Sequence, residues 1–182
     1  HRGIRYLVWG QRLTASDSSR MDLYIARMAS PSKLLGKPVM IASADQAWEM
    51  VDPSKLKLEG PAVLQRNGRI FISYSANAID ASYCMGMLEM SQDADPLSAS
   101  SWTKLPGPVF QSDPAARQFG PGHNSFTSSR DGSVDYLVYH DRNYERIEGY
   151  PILDPNRNTR VQAFTWGPDG RPLFGKPVAD GM

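Results

Sequence analysis

A heptad-like motif fixes the architecture this chain can adopt, because it recurs at long and nearly constant spacing. Gly3-Ile4-Arg5-Tyr6-Leu7-Val8-Trp9 returns as Gly68-Arg69-Ile70-Phe71-Ile72-Ser73-Tyr74, a shift of 65 residues. Asp135-Tyr136-Leu137-Val138-Tyr139 continues it at the same shift, and Leu23 to Met28 matches Met85 to Met90 at a shift of 62. A long internal period means one supersecondary unit stacked on copies of itself. No stretch keeps a helical period. Short β-branched and aromatic runs lie instead between turn residues, which predicts strands over 5–10, 23–28, 39–42, 62–64, 70–75, 85–90, 125–128, 135–140 and 161–166. Asn67-Gly68, Asp131-Gly132 and Asp169-Gly170 predict tight hairpins with left-handed backbone at both central residues. The reading is all-β, with units of four antiparallel strands that resemble propeller blades. Three units, at about 1–55, 56–118 and 119–182, use the whole chain. The first lacks its innermost strand, since the position equivalent to Glu59 falls before His1.

Composition narrows the function. Lys plus Arg is 20 and Asp plus Glu 19, for a net charge of +1, which gives no electrostatic case for nucleic acid or an anionic membrane. Apolar runs are far shorter than the roughly 20 residues that cross a bilayer, and no signal peptide is visible in this chain. The one cysteine, Cys84, has no internal partner and belongs to no zinc motif.

Inner propeller strands converge on a common axis, so ionisable residues at their starts carry most interest. Glu59 lies nine residues before Gly68, and His123 lies nine before Gly132. The repeat therefore brings a carboxyl group and an imidazole to one axis. Read by themselves, Glu59 is a solvated turn carboxylate or a proton donor, and His123 a hydrogen-bonded channel histidine. His140 and Arg142 end a strand, where they contact a ligand or brace a rim. Arg160 offers a fork of donors to a ligand or to a surface carboxylate. Trp48 is a stacking platform or a core residue. Tyr74 and Tyr139, which repeat with Trp9, read as packing between units, and Met85, Met87 and Met90 as core.

Glu59-Gly60-Pro61-Ala62-Val63-Leu64, Phe71 to Ala76, Tyr83-Cys84-Met85-Gly86, Gly120-Pro121-Gly122-His123-Asn124-Ser125-Phe126, Tyr139-His140 and the stretch from Asp154 to Gln162 together resemble glycoside hydrolase family 43. The resemblance implies a partial five-bladed β-propeller and an inverting glycosidase. The long motif ending in Arg160 is similar to exo-acting α-L-arabinofuranosidases of arabinan or arabinoxylan. β-Xylosidase, endo-arabinanase and a non-catalytic carbohydrate-binding propeller are the alternatives. It further implies Glu59 as general acid, and Trp48, His140, Arg142 and Arg160 as substrate-binding residues. His123 would face an axial calcium ion through water. The family's general base and second aspartate lie upstream of the matched region, and Asp17, Asp22 and Asp45 match neither. The implied partner is an arabinose-containing plant polysaccharide, the implied location extracellular, and the open ring invites self-association.

Overall fold

The computed structural model describes residues 1–17 and 19–181. The described residues form eleven strands in three antiparallel meanders. The first comprises β1 (Tyr6–Arg12), β2 (Arg20–Ser30) and β3 (Lys33–Ala42). The second comprises β4 (Leu56–Arg66), β5 (Arg69–Ala76), β6 (Cys84–Ser91) and β7 (Thr103–Lys104). The third comprises β8 (Phe119–Ser128), β9 (Asp135–Arg142), β10 (Asn158–Trp166) and β11 (Pro172–Leu173). Two parallel pairs, Arg20 with Leu56 and Met21 with Lys57, join the first meander to the second. All nine expected strands form, most of them longer at their ends. Two-residue β7 and β11 escape a pattern reading because they are too short to show a period.

The repeat matches the topology. Tyr6, Phe71 and Tyr136 lie in β1, β5 and β9, each paired with the strand that follows it. β5 and β9 also pair with β4 and β8 on the other side, and β1 has no such partner among the described residues. One hairpin expectation holds in full: Asn67 and Gly68 have φ of 52° and 74°. At the other two turns only the glycine is left-handed, with φ of 71° at Gly132 and 78° at Gly170. There the aspartates accept instead from the backbone two residues on, at Ser133 and Arg171, which shapes wider turns.

The second meander is buried on both sides, and the period of two along β5 divides its side chains between two cores. Ile70, Ile72 and Tyr74 pack with Leu23, Ile25 and Ile41 of the first meander. Phe71 packs with Leu137, Tyr139 and Phe164 of the third, together with Met85 and Met87. Tyr74 and Tyr139 thus pack between sheets, as the repeat suggested. On the same face as Phe71, Ser73 and Ser75 turn toward β8, where two hydroxyls replace apolar contact and fix the strand that carries His123.

Candidate active site

The two motifs that the sequence brought together sit at β-bulges. The pairing of β4 with β5 breaks between Glu59 and Ala62, and the pairing of β8 with β9 breaks on both sides of Gly122. Pro61 lies in the first break and Pro121 in the one before Gly122, where a residue without an N–H costs the ladder nothing. A bulge bends its strand and re-aims a side chain. At β4 the bend requires Gly60, whose φ is +58°, and a Cβ there would stand 3.1 Å from the His123 ring. His123 itself is left-handed, with φ of 48°, an uncommon state for a non-glycine residue. Its N–H donates to Ser75 Oγ at 2.7 Å, which holds it there.

Glu59 is half-buried, and its Oε1 accepts from the Tyr83 hydroxyl at 2.8 Å. The same hydroxyl lies 3.4 Å from His123 Nδ1. Burial first, then the Glu59 charge, pushes the Tyr83 hydroxyl well above the ordinary phenol range, so it remains protonated. Behind it, the Tyr83 ring stacks on His140 with centroids 5.6 Å apart. His140 is pushed down to about 4, by burial first and then by Arg157, His123 and Arg142, so its ring is neutral at neutral pH. Neither of its nitrogens has a hydrogen-bond partner.

Glu59 and His123 line one cavity of about 420 Å³, together with Asn77, Ile79, Pro151 and Arg157. A second hollow of about 450 Å³ lies on the other side of His123 and is bordered by His140, Arg157 and Thr159. His123 and Arg157 are shared between the two. Arg142 is fully buried and braces the first cavity. It donates to Asp154 at 2.7 Å and to the carbonyls of Ile79 and Pro151, both at 3.3 Å, tying together two loops of the cavity wall.

The structure therefore gathers Glu59, His123 and His140 as the sequence suggested, and gives three other residues different work. Arg142 braces the rim from inside rather than meeting a ligand. Arg160 is paired through Nε with Asp141, at 2.7 Å, and through Nη1 with Asp180, so two of its three nitrogens are held by carboxylates of this chain. Trp48 lies off the cavity: it stacks on Tyr74 at 6.4 Å and donates to Gln46 at 2.6 Å, in a pocket that Gly86 leaves open. The sequence reading missed Tyr83 as the partner of the acid, and Arg157, which stands three residues before Arg160. It also missed Asn77, whose amide donates to Trp48 O and accepts from Val51 N beside the cavity. Buried Glu49, bound to Tyr74, Lys104 and two backbone N–H groups, holds that same loop.

His123 is ill suited as a direct ligand for the implied calcium ion. Calcium takes six to eight oxygen ligands, whereas His123 offers a nitrogen, with its Nδ1 turned to Tyr83. Among the described residues no three His, Cys, Asp or Glu side chains cluster as a metal site.

Residues 1–172 match the sequence model described as Glycosyl hydrolases family 43. The chain belongs to glycoside hydrolase family 43. An extracellular exo-α-(1→5)-L-arabinofuranosidase of Streptomyces avermitilis is 53% identical over 99% of this chain, which covers 37% of that relative. An α-L-arabinofuranosidase 43 of Humicola insolens is 50% identical over 98% of the chain, again 37% of the relative. The chain thus spans little more than a third of the curated relatives it matches. Among solved structures, an α-L-arabinofuranosidase from Lactobacillus brevis superposes with a TM-score of 0.89 at 51% identity, over 97% of this chain and 54% of that one. A thermostable family-43 glycoside hydrolase superposes at 0.81 with 26% identity, over 100% of this chain and 57% of that one. The family's structures are β-propellers, in keeping with the all-β meanders described above.

Proposed function

We propose that this chain is the C-terminal part of the catalytic propeller of an inverting, exo-acting α-L-arabinofuranosidase that trims arabinan or arabinoxylan side chains. The three meanders are three blades of a five-bladed ring, at about 1–55, 56–118 and 119–182, and the first has its inner strand supplied from outside this chain. The observation that carries the reading is Glu59: a half-buried carboxyl group, aimed by a bulge into a cavity and held by one oxygen.

Glu59 is the general acid. Its proton passes to the glycosidic oxygen as the bond from that oxygen to the anomeric carbon breaks. A water molecule adds to the anomeric carbon from the opposite face and gives its proton to a carboxylate base, about 6.5–9.5 Å from the acid. Protons balance, configuration inverts, and Glu59 is left ionised. The base comes from the part of the protein beyond this chain, so these 182 residues alone are expected not to turn over glycosides. Arg157, which borders both hollows, donates to the hydroxyls of the bound sugar, and His140 supports that floor from beneath Tyr83. An axial calcium ion would meet His123 only through water, and no step of the reaction runs through it. The enzyme acts outside the cell, in line with the extracellular Streptomyces relative.

The test is hydrolysis by the full-length protein of paired chromogenic α-L-arabinofuranosides and β-D-xylosides, with product sizes measured on arabino-oligosaccharides. Arabinose released singly from chain ends supports the reading. Preference for the xyloside, or release of internal fragments, contradicts it.

A further inference from the structure

We infer that Tyr83 is the positioning residue of the general acid, and that the glycines beside His123 exist to admit its ring. This rests on the reading of Glu59 as the acid. Tyr83 is 1% exposed and stands immediately before β6. Its N–H is bound to Asp80 O, and its ring is wedged between the backbone of Gly122 and the face of His140. A Cβ on Gly122 would lie 2.5 Å from Tyr83 Cε1, so the slot for the ring is made by a missing side chain. A Cβ on Gly120 would lie 2.4 Å from the carbonyl of Asp80, the residue that anchors Tyr83. Close approach to the tyrosine thereby accounts for the second glycine of the Gly-Pro-Gly-His motif, and for the first together with its left-handed backbone, φ +62° at Gly120.

A ring held on both faces fixes its hydroxyl in space. That hydroxyl takes Glu59 Oε1 and leaves Oε2 as the oxygen that presents a proton to the cavity. The bond also changes strength during the reaction. Before proton transfer it joins two neutral groups; afterwards its acceptor is a carboxylate, and charge-assisted bonds are roughly twice as strong. An interaction that strengthens toward the transition state raises kcat and leaves substrate binding alone. His123 Nδ1 lies 3.4 Å from the same hydroxyl, against 2.8 Å for the shorter bond to Glu59.

The experiment is steady-state kinetics of the full-length protein and its Tyr83→Phe and Glu59→Gln variants. One substrate is an arabino-oligosaccharide, whose leaving group needs a proton. The other is an arabinofuranoside of 2,4-dinitrophenol, whose leaving group does not. Phenylalanine fills the same slot, and a urea unfolding midpoint close to wild type confirms it. Tyr83→Phe should lower kcat on the oligosaccharide about 10- to 30-fold, with KM changed less than about twofold and the activated substrate nearly unaffected. Equal loss on both substrates, a change in KM alone, or no loss overturns the proposal. Glu59→Gln should show the same split more strongly. If Glu59→Gln shows none, the acid assignment itself fails; if it shows the split and Tyr83→Phe does not, only the role of Tyr83 fails.

Discussion

Replacing Gly122 with alanine places a methyl group 2.5 Å from Tyr83 Cε1, 2.8 Å from Tyr83 Cδ1 and 2.8 Å from Ser75 Oγ. Carbon atoms rest at about 3.5–4.0 Å, so something must move by about 1 Å. Neither neighbour is free to. The ring is backed by His140, and the serine hydroxyl holds the His123 N–H. Overpacking of this kind costs about 1–3 kcal/mol, and a rigid slot belongs at the upper end. Gly122 is not left-handed, so alanine meets no backbone penalty and even recovers about 0.5–1 kcal/mol by stiffening the unfolded chain. The net expectation is a loss of about 2 kcal/mol, roughly a 30-fold fall in the folding equilibrium constant. Gly107 is the control: a Cβ there meets nothing within 4 Å and its backbone is not left-handed. Urea unfolding of the full-length protein, followed by tryptophan fluorescence, should find Gly107→Ala at or above wild-type stability and Gly122→Ala well below. Equal midpoints for the two variants would refute the claim that the motif glycine makes room for Tyr83.

Two further expectations concern buried charge. His140, pushed down to about 4 by burial first, opposes folding as pH falls from 6.5 toward 4, because the unfolded state binds the proton more readily. Asp141, pushed up to about 6 by burial, works in the opposite sense over about the same range, since its folded form takes the proton first. In His140→Phe, which keeps the stack on Tyr83, the stability difference from wild type should shift in the variant's favour by ~2 kcal/mol between pH 7 and pH 4; a pH-independent difference contradicts this. Lys104→Met strands the fully buried Glu49 carboxylate, now 2.8 Å from the ammonium, and should cost about 3 kcal/mol by urea unfolding. A loss under about 1 kcal/mol would mean that the backbone N–H groups and Tyr74 suffice.

The sheets were legible because burial on both faces of β5 demands a nearly continuous apolar run, Ile70-Phe71-Ile72, and three copies of one pattern leave little choice of topology. The acid and the histidine were legible through the same repeat, which carries position along a strand into position around an axis. Tyr83 was not. It lies 24 residues from Glu59, and the contact arises because Gly122, much later in the chain, leaves room for the Tyr83 ring. Nothing local in the sequence records an empty volume. Arg157 and Arg160 look alike in sequence. One lies in a loop over the cavity, and the other in a strand with two carboxylates within reach. Trp48 and Glu49 share a short turn whose inward direction is set by Lys104 and Tyr74, from two later strands. The half-formed hairpin expectations failed for a related reason: an aspartate before glycine can shape a turn through its side chain without turning left-handed itself.

The central claim is that Glu59 donates the proton. The direct measurement is kcat of the full-length Glu59→Gln variant across arabinofuranosides whose leaving groups range from sugar hydroxyl to dinitrophenolate. Loss of about 10²- to 10⁴-fold on the oligosaccharide, shrinking steadily to little or none on the most acidic leaving group, is the predicted result. A loss of the same size on every substrate would contradict it and return Glu59 to a structural carboxylate at the edge of the cavity.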